Sequence, residues 1–194
     1  MLNIERLNHS FNNTPIFIDY SLAIAAPKVC LVAANGQGKT TLFSIIAGLI
    51  KVQSGSIMLN GLLLNNTNQH VALASDKIIF PDFLTAKQVI ELVCACWHCP
   101  WPTDIIEGLS FGIQLDTKVA DLSSGSLKKL QLITALARQA QLTLLDEPSA
   151  ALDHDSLTFL LQLLTARSGQ IIITSHEPDP FTQIGFELKA LNNV

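Results

Sequence analysis

The chain has 194 residues, 48% hydrophobic and 14% charged, with a formal net charge of −4 at pH 7. That length holds one domain, or one core with a small insertion, and is too short for two full domains. An acidic balance with no long basic run makes a nucleic-acid backbone a poor candidate ligand, and the apolar excess leaves surface for a partner to cover.

From Leu2 to Ile24 the pattern predicts two β segments around a polar turn, Asn12-Asn13-Thr14-Pro15. Lys28 to Ala34 is a continuous apolar run, as expected of a strand buried on both faces. It leads through a glycine-containing loop into a helix expected from about Lys39 to Ile50. Gly55 to Asn60 reads as a short strand ending in an Asn60-Gly61 turn. His70 to Ala74 is another apolar run, and Thr85 to about Leu115 is helical with an interruption at Pro100 and Pro102. A helix from Ser124 to about Gln139, a buried strand Leu142 to Leu145, a helix from about Asp155 to Ala166 and a buried strand Gln170 to Thr174 follow. Strand–helix alternation of this kind predicts a parallel sheet covered by helices.

No apolar stretch reaches bilayer-spanning length, and Met1-Leu2-Asn3-Ile4-Glu5 lacks the basic-then-apolar order of a signal peptide. A membrane role is therefore expected to be peripheral and the compartment cytoplasmic. Cys94, Cys96 and Cys99 crowd around His98, but their spacing is wrong for the two separated ligand pairs of a structural zinc site. They are expected to form a buried helix end with small apolar side chains.

The strongest chemical signal is Ala33-Ala34-Asn35-Gly36-Gln37-Gly38-Lys39-Thr40-Thr41, placed between a buried strand and a helix. Backbone N–H groups of such a turn, with the helix dipole behind them, cradle anionic oxygens. Lys39 is expected to reach the β- and γ-phosphates of ATP, and the Thr40 hydroxyl to coordinate Mg2+. Ala33 stands where the pattern begins with glycine, and its methyl would crowd the loop if the backbone there needs positive φ. The second signal is Leu142-Thr143-Leu144-Leu145-Asp146-Glu147-Pro148, a strand that delivers two carboxylates to the carboxyl edge of the sheet. Asp146 is expected to hold the magnesium through water, and Glu147 to polarise the attacking water.

Together these residues resemble an ABC-type ATPase. The third motif of that family appears as Leu122-Ser123-Ser124-Gly125-Ser126, in the right order between the other two. The resemblance implies that Ser123, Ser124 and Gly125 contact the γ-phosphate bound to an opposite subunit, with Asp153 of Ser149-Ala150-Ala151-Leu152-Asp153 helping to link the subunits. It implies that His176, at the end of a buried strand, bonds the γ-phosphate, and that Phe11 stacks on adenine, with Phe17 and Tyr20 as rivals. Asp76 stands where the family carries Gln or Glu, a shorter acid that would reach Mg2+ only through water, and Ser126 replaces the usual Gln. Lys128-Lys129 reads as the solvated face of the signature helix.

The implied fold is an α/β P-loop NTPase core with an N-terminal antiparallel β portion and a small helical subdomain. One ABC ATPase domain would span 1–194, with core 1–75 and 122–194 and the helical part at about 76–121. The implied function is ATP hydrolysis in a homo- or heterodimer that drives a polytopic membrane subunit from the cytoplasmic face of the inner membrane. The compact length is similar to the haem-export ATPase of bacterial cytochrome c maturation, and also to small drug- or lipid-export ATPases. A soluble non-transport ABC ATPase and a degenerate regulatory cassette are the alternatives.

Overall fold

A computed structural model describes residues 1–12, 14–34 and 36–191. The expected β-rich start is β1 (Leu2–Phe11) and β2 (Thr14–Ile24), antiparallel with Leu2 opposite Ile24 and Phe11 opposite Thr14. β3 (Lys28–Val32) feeds the glycine loop and α1 (Lys39–Ile46). The helix stops earlier than the apolar pattern predicts, because the Ser44 carbonyl accepts the N–H groups of both Leu49 and Ile50 and turns the chain out. β4 (Ser54–Leu59) and the short β5 (Leu62–Leu63) form a hairpin through Asn60-Gly61, both with positive φ (55° and 81°), as a two-residue primed turn demands.

A helical turn, α2 (Thr67–His70), precedes β6 (Val71–Ala74). α3 (Ala86–Trp97) opens with a capping box, in which the Gln88 N–H donates to Thr85 Oγ1 at 3.2 Å and the Thr85 N–H donates to Gln88 Oε1 at 2.9 Å. His98 ends it in the left-handed region, and α4 (Thr103–Gly108) starts after the prolines. The cysteine run at the α3 end is not buried. Cys96 is exposed and Cys94 and Cys99 are half-buried, because the face of α3 that meets the core is Ala86, Val89 and Ile90 and the helix end emerges from it. No group of three or more His, Cys, Asp or Glu side chains among the described residues is arranged to hold a metal.

α5 (Ser124–Leu136), β7 (Leu142–Asp146), α6 (His154–Ala166) and β8 (Gln170–Thr174) follow closely as the pattern predicts. The structure adds α7 (Asp179–Thr182) and an edge strand, β9 (Glu187–Ala190), with only one half-buried residue and little apolar pattern to announce it.

The strands make two sheets: an antiparallel one in the order β2-β1-β4-β5 and a parallel one in the order β6-β7-β8-β3-β9. Period-two alternation explains why the central parallel strands read as unbroken apolar runs. Leu142, Leu144 and Ile172 point into a core shared with β1, β2 and α1. Leu145, Ile171 and Ile173 point the other way, into a core shared with α3, α4, α5 and α6. No helix among the described residues is long and apolar enough to cross a membrane.

Candidate functional site

The carboxyl ends of β3, β7 and β8 converge on a cleft of about 350 Å³. Its floor is the glycine loop. Gly36 and Gly38 both have positive φ (80° and 81°), the left-handed backbone that a glycine phosphate loop uses where it meets α1. Gly36, Gln37, Gly38, Lys39, Thr40 and Thr41 all line the cleft, while Asn35 lies outside the described residues. The Gln37 Oε1 accepts the Ala34 N–H at 3.1 Å, and Lys39 Nζ donates to the Ala33 carbonyl at 2.7 Å, so the loop is braced by its own side chains. Ala33 is not among the residues with positive φ, so its methyl strains nothing and packs against the core beneath.

Opposite the loop stand Asp146 and Glu147. Asp146 is only 7% exposed, and both its oxygens are engaged: Thr174 Oγ1 donates to Oδ1 at 2.8 Å and Ser75 Oγ donates to Oδ2 at 2.9 Å. Glu147 has φ of 48°, and its N–H is taken by Thr174 Oγ1 at 2.9 Å. Its Oε2 accepts the His176 N–H at 3.1 Å. Its Oε1 lies 3.4 Å from His176 Nε2, an ion-pair distance, but the angles make no hydrogen bond and this buried oxygen has no hydrogen-bond partner among the described residues. The carboxylate's charge reaches the core behind it: burial first, and Glu147 second, push the Cys30 thiol up to about 11.

The donor set fits magnesium. Mg2+ takes oxygen ligands, one or two from protein and the rest from phosphate and water, and the Thr40 hydroxyl and the Asp146 carboxylate face each other across the same cleft.

Several expected residues are elsewhere. Phe11 is 46% exposed at the end of β1, edge-on to His9 at 4.7 Å, and is not a cleft-lining residue; Ile16 lines that side. Its rivals Phe17 and Tyr20 are packed together in the core at 5.2 Å. Asp76 does not enter the cleft: its carboxylate binds Lys128 Nζ at 2.8 Å with 80% of its side chain exposed, and the neighbouring Lys77 lines the cleft instead. Lys128 is correspondingly no solvated residue but 7% exposed, and it also donates to the Asp146 carbonyl at 3.3 Å.

Ser123, Ser124, Gly125 and Asp153 gather at a second place on the surface. Ser123 caps α5 by accepting the Ser126 N–H at 3.1 Å, and bonds the Ser126 hydroxyl at 3.0 Å. A Cβ on Gly125 would come within 2.9 Å of the Ala151 carbonyl, so glycine is what lets α5 approach the loop after Glu147. Asp153 caps α6 by accepting the Ser156 N–H at 2.8 Å and pairs with Lys129 at 2.6 Å. The Lys129 ammonium, helped by the Ser156 N–H, holds the Asp153 carboxyl well below the usual carboxylate range.

Sequence reasoning missed Ile16 and Lys77. Ile16 carries no chemical signal, and Lys77 is one residue past the position that the motif spacing marks.

A glycine loop feeding Lys39 and Thr40 into a cleft that faces a strand-end Asp146-Glu147 pair defines a P-loop nucleotide triphosphatase. Residues 20–150 match the family model described as ABC transporter, and the chain belongs to that family of ATPases, which act on ATP with Mg2+. It is 28% identical to the ABC transporter ATP-binding protein YtrB of Bacillus subtilis (strain 168), covering 100% of this chain and 71% of that protein. It is 27% identical to the ribose import ATP-binding protein RbsA of Cereibacter sphaeroides, of which it spans only 42%. Among solved structures, an ATP-binding subunit of an ABC transporter superposes with a TM-score of 0.87 at 20% identity, over 100% of this chain and 86% of that one. A dimeric ATP-binding cassette with ADP and Pi gives 0.83 at 18% identity, over 100% and 95%. At those identities the likeness is one of fold.

Proposed function

We propose that the chain hydrolyses MgATP in this cleft as one half of an ATPase dimer and so drives a separate polytopic membrane subunit. The observation that carries the reading is the Glu147 carboxylate, which lines the cleft opposite the phosphate loop: one oxygen is held by the His176 N–H, and the other makes no hydrogen bond to any described residue. Glu147 takes the proton of the attacking water, the His176 side chain bonds the γ-phosphate, and the His176 backbone N–H orients the carboxylate. Lys39 exchanges its internal carbonyl for phosphate oxygens. Thr40 and Asp146 would hold Mg2+, which would supply positive charge to offset that of the phosphates. Phe11, exposed beside the loop end of β1, supplies an aromatic face for adenine.

Ser123, Ser124, Gly125 and Asp153 belong to the partner-facing side in this reading. Their position away from the cleft of their own chain supports it, since a helix N-terminus with a free flank suits the phosphate of a second copy. Residues 1–75 and 122–194 act as the core and 76–121 as a helical subdomain. Between them runs an apolar groove of about 270 Å³ lined by Leu49, Ile78, Phe80, Val93, Trp97 and Arg138. It suits a segment of the membrane subunit; docked there, the chain sits peripherally at the cytoplasmic face. The cargo, haem or another small molecule, is chosen by the membrane subunit in this reading.

The test is phosphate release by the purified chain and by Glu147→Gln with saturating MgATP. Turnover should fall by about 10²-fold or more, the size of a lost general base, with ATP binding retained. Equal, near-zero rates in both would leave a binding cassette without hydrolysis.

A further inference from the structure

We infer that Lys77 is a further nucleotide-binding residue, one that holds the terminal phosphate and so distinguishes a nucleoside triphosphate from a diphosphate. The inference rests on the reading of the cleft as the ATP site.

The three residues after β6 take three directions. Ser75 is fully buried, and its hydroxyl donates to Asp146 Oδ2 at 2.9 Å while accepting the Lys77 backbone N–H at 3.3 Å. Asp76 turns outward, its carboxylate committed to Lys128, which is itself anchored on the Asp146 carbonyl. Lys77 is left facing the cleft, tethered through one hydroxyl to the carboxylate expected to hold magnesium. The geometry therefore exchanges an expected acid for a cation.

Charge supports the exchange. Lys128 and Lys129 are paired with carboxylates and Lys39 with a backbone carbonyl, whereas the Lys77 ammonium makes no ion pair with any described residue. The cleft walls carry Asp146 and Glu147, and a triphosphate adds about two more negative charges than one magnesium ion offsets. A second lysine beside Lys39 supplies the missing positive charge. It enters from the Asp146 side, where the γ-phosphate lies in the proposed reading and where ADP has no atoms. A charge-assisted bond to that phosphate is thus made by ATP alone.

Calorimetry on the full chain, with Mg2+ and either ADP or the β,γ-imido analogue of ATP, tests this for wild type, Lys77→Ala and Lys77→Arg. Lys77→Ala should weaken the triphosphate analogue about tenfold, the size of one bond to a charged group. ADP should stay within about twofold on the same scale, and Lys77→Arg should restore most of the difference. A Lys77→Ala chain that binds both nucleotides as wild type does, or loses both equally, would overturn the assignment while leaving the ATP site standing. A wild-type chain that binds neither would overturn both.

Discussion

Thr174 performs two tasks with one hydroxyl. It accepts the Glu147 N–H and donates to Asp146 Oδ1, from a side chain with no solvent exposure. A non-glycine residue with positive φ costs about 1–2 kcal/mol relative to ordinary backbone, and at Glu147 that conformation points an amide at Thr174, which captures it. The bond thus holds the proposed base in place while fixing the orientation of the proposed metal ligand. Thr174→Val should lower stability by about 1–3 kcal/mol, since it strands two buried polar groups, and should lower turnover as well. Thr174→Ser should recover most of both. Urea unfolding alongside phosphate release reads the outcome; a valine variant with parental stability and rate would show that the hydroxyl anchors neither carboxylate.

Among the elements, α5 and α6 meet where the signature residues lie, and their N-termini are built differently. α5 is capped by a neutral serine, α6 by the Asp153 carboxylate, which is also tied to Lys129 of α5. Asp153→Ala removes the cap and should cost about 1 kcal/mol. The pH dependence has a definite sign. The carboxyl is depressed in the folded chain, so its contribution is complete above its unfolded value of about 3.9 and is lost as pH falls below that towards the folded value. The gap between wild type and Asp153→Ala in urea midpoint should therefore be full at neutral pH and narrow below about pH 4. A gap that is the same in both ranges would mean that packing, not the charge, is what the aspartate supplies.

At the scale of the whole molecule, the phosphate-loop cleft and the Ser123–Gly125 cluster lie apart on one chain, and the apolar groove opens where β6, α3 and α5 meet. Ile79 and Phe83, on the loop between β6 and α3, are 87% and 74% exposed, more apolar surface than a finished exterior leaves on one loop. In the proposed reading, partners cover the chain on two sides. With MgATP, Glu147→Gln should elute as a dimer in size-exclusion chromatography, and Lys39→Ala as a monomer. A tagged chain drawn from native membranes in mild detergent should bring down a polytopic membrane protein. A nucleotide-independent monomer, or capture of ribosomal or DNA-associated proteins alone, would favour the non-transport alternative.

The phosphate loop, the carboxylate pair and the strand-end histidine were legible because each is a contiguous strand-to-loop step: an apolar run buried on both faces ends and chemistry begins at the next residue. Lys39, Asp146, Glu147 and His176 needed only local order, and that order also specified the alternation that builds a parallel sheet. What lies between segments distant in the chain was decided by tertiary structure. No spacing foretells that Lys128 would be buried and claim Asp76, 52 residues away, because a lysine on a helix reads as solvated until something packs over it. The same contact turned Asp76 out and left Lys77 facing the cleft. Phe17 and Tyr20, three residues apart, both went to the core because β2 breaks its alternation between them, where Asp19 has positive φ and the register with β1 shifts, while Phe11 at the end of β1 stayed at the surface. Local sequence thus specified which chemical groups reach the edge of the sheet; the packing of distant segments decided which of their neighbours face the cleft.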